Sequence, residues 1–144
     1  MAKVAKIFGD IVDDDLPSKK DIKHAEHYKP EHLTPAQAKI WDRVAPVLWM
    51  LGRGGIQYVD SISEYCIIYE RLISTRAYLD KNDWSYESDG RYGEQEKFRP
   101  EVGLLNDDHR KWRTLVNELG LGPSSEKAIS NKAKRNKSSG WDSF

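Results

Sequence analysis

DSISEYCIIYERLISTRAYL, residues 60–79, is a long stretch with a regular apolar and aromatic period. Ile62, Tyr65, Tyr69, Leu72, Arg76 and Leu79 recur at spacings of three and four, with Val59, Cys66 and Ile73 flanking them. That is the period of one helical face, not the alternation of a strand. A helix is therefore expected from about Gln57 or Asp60 to about Lys81, apolar over a wide arc. Ile62, Tyr65, Tyr69, Leu72 and Leu79 are expected to serve both as core and as a contact with another copy. An aromatic stripe at this spacing is packing before it is a platform for nucleobases.

Upstream, Leu33-Thr-Pro-Ala-Gln37 is a helix start. Thr34 caps, Pro35 fits the first helical position and Gln37 completes a capping box. Leu33, Ala36, Ile40, Val44, Val47 and Leu51 then step along one face, widened by Trp41 and Leu48. Pro46 removes a backbone donor but the periodicity survives it, so a kink rather than a stop is expected. Gly52-Arg-Gly-Gly55 ends the helix; the lysine and serine or threonine of a phosphate-binding loop do not follow, and no strand precedes.

Downstream, the helical period is lost between Asn82 and Arg99. Trp84-Ser-Tyr86 alternates and Asp89-Gly90 is a turn dipeptide, which suggests a small irregular hairpin or an ordered loop. Pro100-Glu101 opens a further helix with Val102, Leu105, Trp112, Leu115, Val116 and Leu119 facing inward, antiparallel to its predecessor. Gly120 is placed as a left-handed C-cap, Leu121 for the apolar contact of a Schellman ending, and Pro123 forbids continuation. Ser124 and Ser125 offer a new N-cap for a short basic helix. The fold class expected is all-α: about three antiparallel helices in residues 33–122, which form the core and oligomerisation domain. A charged arm, 1–32, which is mobile or a short peripheral helix, precedes it, and a basic extension, 123–144, follows.

The chain has 144 residues, with 23 Lys and Arg against 23 Asp and Glu, so no global field marks a polyanionic partner. Segregation is local. Between Gly122 and Gly140, four lysines and one arginine face one glutamate, 5 − 1 = +4. Cys66 is the single cysteine, lies in an apolar run and suits a buried thiol in a reducing compartment. With no membrane-length apolar run and no signal-peptide core near the N-terminus, the protein reads as soluble and intracellular.

Enzymatic motifs are absent. His24, His27 and His32 with Glu26 and Glu31 raise the question of a metal site, but no HExxH pattern is present and no cysteine is near, so a polar arm accounts for them. Asp13 to Asp15 and the pair Asp107-Asp108 read as acids on solvated faces rather than the convergent carboxylates of a two-metal nuclease. No catalytic residue, metal or cofactor is assigned.

The ordered set Leu33-Thr34, Trp41, Leu48, Leu51-Gly52, Asp60 opening a long helix through Tyr65-Cys66 to Leu79, Gly90, Arg99-Pro100 and Leu119-Gly-Leu-Gly-Pro-Ser-Ser125 resembles the small subunit of phage terminase. The likeness spans roughly residues 33–130, and Glu126-Lys127 departs from it where a basic residue directly after the serines is the family's habit. The resemblance implies a non-enzymatic, mainly helical protein that assembles into a homo-oligomeric ring in the host cytoplasm. Such a protein recognises double-stranded viral DNA at the packaging start and delivers it to the large terminase subunit, modulating that partner's ATPase and nuclease. Charge ranks the DNA contacts: first Lys127, Lys132, Lys134, Arg135 and Lys137; then Lys19, Lys20 and Lys23; then Arg43 and Arg53 as lining of a ring opening. Residues 34–75 could imitate a helix-turn-helix, but the second helix is too long and apolar for a recognition helix. The alternative is a small helical phage structural or adaptor protein that binds only protein.

Overall fold

The computed structural model describes residues 16–129. Four α-helices and one hairpin follow in the order α1 (Lys19–His27), α2 (Pro35–Met50), a 3-10 turn (Ile56–Tyr58), α3 (Val59–Asn82), β1 (Ser85–Gly90), β2 (Gly93–Phe98) and α4 (Pro100–Glu118). Residues 123–129 are also helical. The described residues form two compact units, the first ending at Cys66 and the second beginning at Ile67, within α3.

In the first unit, α2 starts on the expected capping box: Gln37 N–H donates to Thr34 Oγ1 and Thr34 N–H to Gln37 Oε1. The helix runs through Pro46 to Met50. Its buried face is Ile40, Trp41, Val44, Ala45, Pro46 and Leu48, whereas Ala36 and Leu51 are exposed. Trp41 and Leu48 are thus the centre of the stripe and not its margin. The end is a Schellman motif: Leu51 caps, Gly52 takes φ +72°, Arg53 N–H donates to Leu48 O and Gly52 N–H to Trp49 O. The first turns of α3 add Ile62, Tyr65 and Cys66 to the buried set. Burial pushes the Cys66 thiol up to about 12.

In the second unit, Leu72, Leu79 and Leu105 form the buried cluster, with Val102 and Trp112 packed against it. Pairings run in opposite order along the two helices, Tyr69 with Trp112 and Arg71 with Asp108, so α3 and α4 are antiparallel as expected. Asp108 corrects the reading of Asp107-Asp108 as solvated acids. It is fully buried, and its carboxylate accepts from Arg71 Nε at 2.7 Å and from a terminal guanidinium nitrogen at 2.6 Å. The bidentate pair replaces the lost hydration.

The hairpin is a genuine two-stranded antiparallel sheet, so the molecule is mainly helical but not purely all-α. Its reversal also differs from expectation. Asp89 and Gly90 are in β1, paired with Glu94 and Gly93, and the two-residue loop is Arg91-Tyr92. Neither loop residue has positive φ; Gly93, at φ +110°, takes the conformation that a side chain would resist. Arg99 secures the base, its Nε donating to the Asn82 and Asp83 carbonyls and its backbone N–H to Trp84 O.

α4 ends as the glycines foretell: Leu119 caps, Gly120 takes φ +68°, Gly120 N–H donates to Asn117 O and Leu121 N–H to Val116 O. The following helical residues do not use Ser124 or Ser125 as N-cap. Glu126 N–H donates to Gly122 O, which makes Gly122 the cap and puts Pro123 at the first helical position, where its missing N–H costs nothing.

Candidate nucleic-acid interface

The basic residues 19, 20 and 23 fall on an ordered, docked helix. Ser18 and Asp21 form the capping box that starts α1: Asp21 N–H donates to Ser18 Oγ, and Ser18 N–H and Oγ–H both donate to Asp21 Oδ2. Those bonds from the Ser18 hydroxyl and N–H hold the Asp21 carboxyl below its ordinary range.

Docking onto α2 relies on one buried residue and one hydrogen bond. Ala25 is 2% exposed, and its carbonyl, in the last turn where intrahelical donors run out, accepts from Trp41 Nε1 at 2.9 Å. Beyond the helix, Tyr28 stacks on Trp49 with ring centroids 5.7 Å apart, and Lys29 pairs with Asp42 at 2.8 Å. At about 100° per residue, Lys19, Lys20, Lys23 and His27 fall within roughly one quarter to one third of the helix circumference, nearly opposite Ala25. All four are exposed. The fixed contact on one side therefore presents three ammonium groups and an imidazole on the other, with Glu26 at the border of the face.

The remaining candidates are dispersed. Arg43 is exposed on α2, about 200° around the helix from Trp41, and its charge acts on the Cys66 thiol. Arg53 is half-buried in the turn after α2. Lys127 is exposed on the helical residues 123–129, while Lys132, Lys134, Arg135 and Lys137 lie outside the described residues. Ile62, Tyr65, Leu72 and Leu79 are buried and Tyr69 half-buried, which consumes most of that stripe in the chain's own packing.

His27 was not grouped with the lysines by sequence reasoning. The signal was available, since positions 19, 23 and 27 repeat every four residues. It is legible only once residues 19–27 are known to be helical.

Arrangements for chemistry are sparse. Among the described residues no group of three His, Cys, Asp or Glu is placed to hold a metal ion, and no helix is long and apolar enough to cross a membrane.

The family model described as "Phage terminase, small subunit" matches residues 38–136, which is 136 − 38 + 1 = 99 of the 144 residues. No curated protein and no solved structure matches the chain significantly.

Proposed function

The chain belongs to the phage terminase small subunit family, and from that premise we propose that it is a ring-forming, non-enzymatic DNA-binding protein of genome packaging. In this reading it recognises viral duplex DNA in the host cytoplasm and brings it to the large terminase subunit, whose ATPase and nuclease it regulates. Residues 33–122 supply the core and the oligomer contacts, and residues 123–144 supply a basic extension. The family match over 99 of 144 residues is the observation that carries the proposal.

The outer face of α1 supports the DNA-binding part. Three lysines on one short helix neutralise few phosphates, and a single copy would bind weakly. In a ring the same face recurs once per copy, so that weak contacts act together at high effective concentration. Lys127 and the basic residues after it extend the same logic to the C-terminal segment. The cationic contacts are to phosphate, which positions DNA without reading its sequence.

The second reading, an adaptor that binds only protein, is favoured by one observation. The hairpin sets Glu87 opposite Glu96 and Asp89 opposite Glu94, an acidic surface that DNA would avoid.

Fluorescence anisotropy with a labelled duplex tests the proposal in two variants, one cut after Gly122 and one carrying Lys19→Glu, Lys20→Glu and Lys23→Glu. Each should still assemble yet bind less tightly, and each lost phosphate contact should lower the salt slope by about 0.9. Unchanged affinity in both would show that neither surface carries the DNA.

A further inference from the structure

The hairpin is unpartnered where physics asks for support. An isolated two-stranded ribbon is marginal in water. Here β2 is exposed at every position, and two cross-strand pairs on one face, Glu87 with Glu96 and Asp89 with Glu94, oppose like charges. Because cross-strand partners share a face, Phe98, paired with Ser85, stands beside the Glu87 and Glu96 pair. Phe98 is 75% exposed. One face of the ribbon thus offers an aromatic ring followed by carboxylates.

A complementary recess lies between α3 and α4. Tyr69, Leu72, Arg76, His109 and Trp112 line a cavity of about 280 Å³. That is just below the roughly 300–1,000 Å³ of small-molecule sites and suits one or two side chains. Its floor is apolar and aromatic, with Tyr69 and Trp112 stacked at 5.9 Å and His109 against Trp112 at 5.8 Å. Its rim is cationic: Arg76 has no carboxylate partner within ion-pair distance among the described residues, whereas Arg71, five residues earlier, is engaged by Asp108.

The chain's own hairpin does not fill this recess. Arg99 fixes its base at the end of α3, and Leu72 lies ten residues, about 15 Å, back along that helix. Phe98 remains open to solvent.

We propose that the recess receives Phe98 from the hairpin of a second copy, with that copy's Glu87 and Glu96 meeting Arg76 and His109. The inference rests on the ring reading above and names its contact. Recess and hairpin are different patches, so seating one in the other is a head-to-tail contact that can repeat around a ring until it closes. The occupant's carboxylates lose their mutual repulsion against two donors, and its ring gains an aromatic floor.

The test is mass by light scattering on the full chain, with helical circular dichroism to confirm folding. Wild type should be larger than a dimer. Phe98→Ala should keep its helical signal, because the side chain it removes is exposed, and should lose most of the assembly. Arg76→Glu alone and Glu87→Lys/Glu96→Lys alone should each fall to small species. Mixing those two variants should restore assemblies larger than a dimer, because each mutant surface then finds a complementary one. A wild type of one or two copies would remove the ring reading and this inference with it. A large wild type whose mass is unmoved by Phe98→Ala and by Arg76→Glu would overturn this contact alone.

Discussion

Replacing Arg71 with Met should lower stability by about 3 kcal/mol. The number follows from the asymmetry of the pair: the Asp108 side chain is 0% exposed while that of Arg71 is 45% exposed. Stripping a buried charge of its partner costs roughly 3–5 kcal/mol. Water can follow into the half-open place that Arg71 leaves, which puts the cost at the lower end, and the melting temperature should fall by on the order of 10 °C. Exchanging both residues, Arg71→Met with Asp108→Leu, removes the stranded carboxylate and should cost less than about 1.5 kcal/mol. Urea unfolding followed by circular dichroism measures all the variants, at one protein concentration because assembly adds to apparent stability. A cost under about 0.5 kcal/mol for Arg71→Met, or a double variant that loses as much as the two single losses added together, would show that the ion pair does not shield a buried charge.

Three further outcomes follow. Trp41→Phe leaves the Ala25 carbonyl without its indole donor and should cost about 1–3 kcal/mol, with α1 released first, which accelerated amide exchange in residues 19–27 would report. Gly120→Ala forces an L side chain to φ +68° and should destabilise the end of α4 by about 1–2 kcal/mol in thermal melts, while Gly103→Ala in the interior of that helix should not. Cys66 should stay inert to a thiol reagent in the native protein. Its folded pKa, about 12, lies above the unfolded value, so the unfolded chain gives up its proton first as pH rises and stability falls between about pH 9 and 12. Cys66→Ala should flatten that alkaline slope.

The long elements were legible because each carried two concordant signals. For α2 and α4 these were a start residue and a periodic face, and for the endings a glycine in the left-handed region at Gly52 and Gly120. α1 offered neither in plain form. Its capping box uses Asp21 where Glu or Gln is usual, and only Ala25 is buried, so there is no apolar stripe to count. The reversal at Arg91-Tyr92 was missed because Asp89-Gly90 has the stronger local turn preference, which pairing across the strands overrides. The burial of Asp108 depends on a partner 37 positions away, beyond any local pattern. The basic face of α1 was half legible: its three lysines were named, but their common direction required the helix and its docking on Trp41.

The DNA-binding role proposed for this terminase small subunit depends on repeated, weak, cationic contacts with the duplex. Equilibrium binding of the assembled wild type to a duplex, measured across a series of salt concentrations, tests it most directly. Binding is expected at low salt and should weaken steeply as salt rises, with a log–log slope of several units because each copy contributes phosphate contacts. An intact assembly that ignores duplex DNA even at low salt would contradict it and leave the protein-only adaptor in its place.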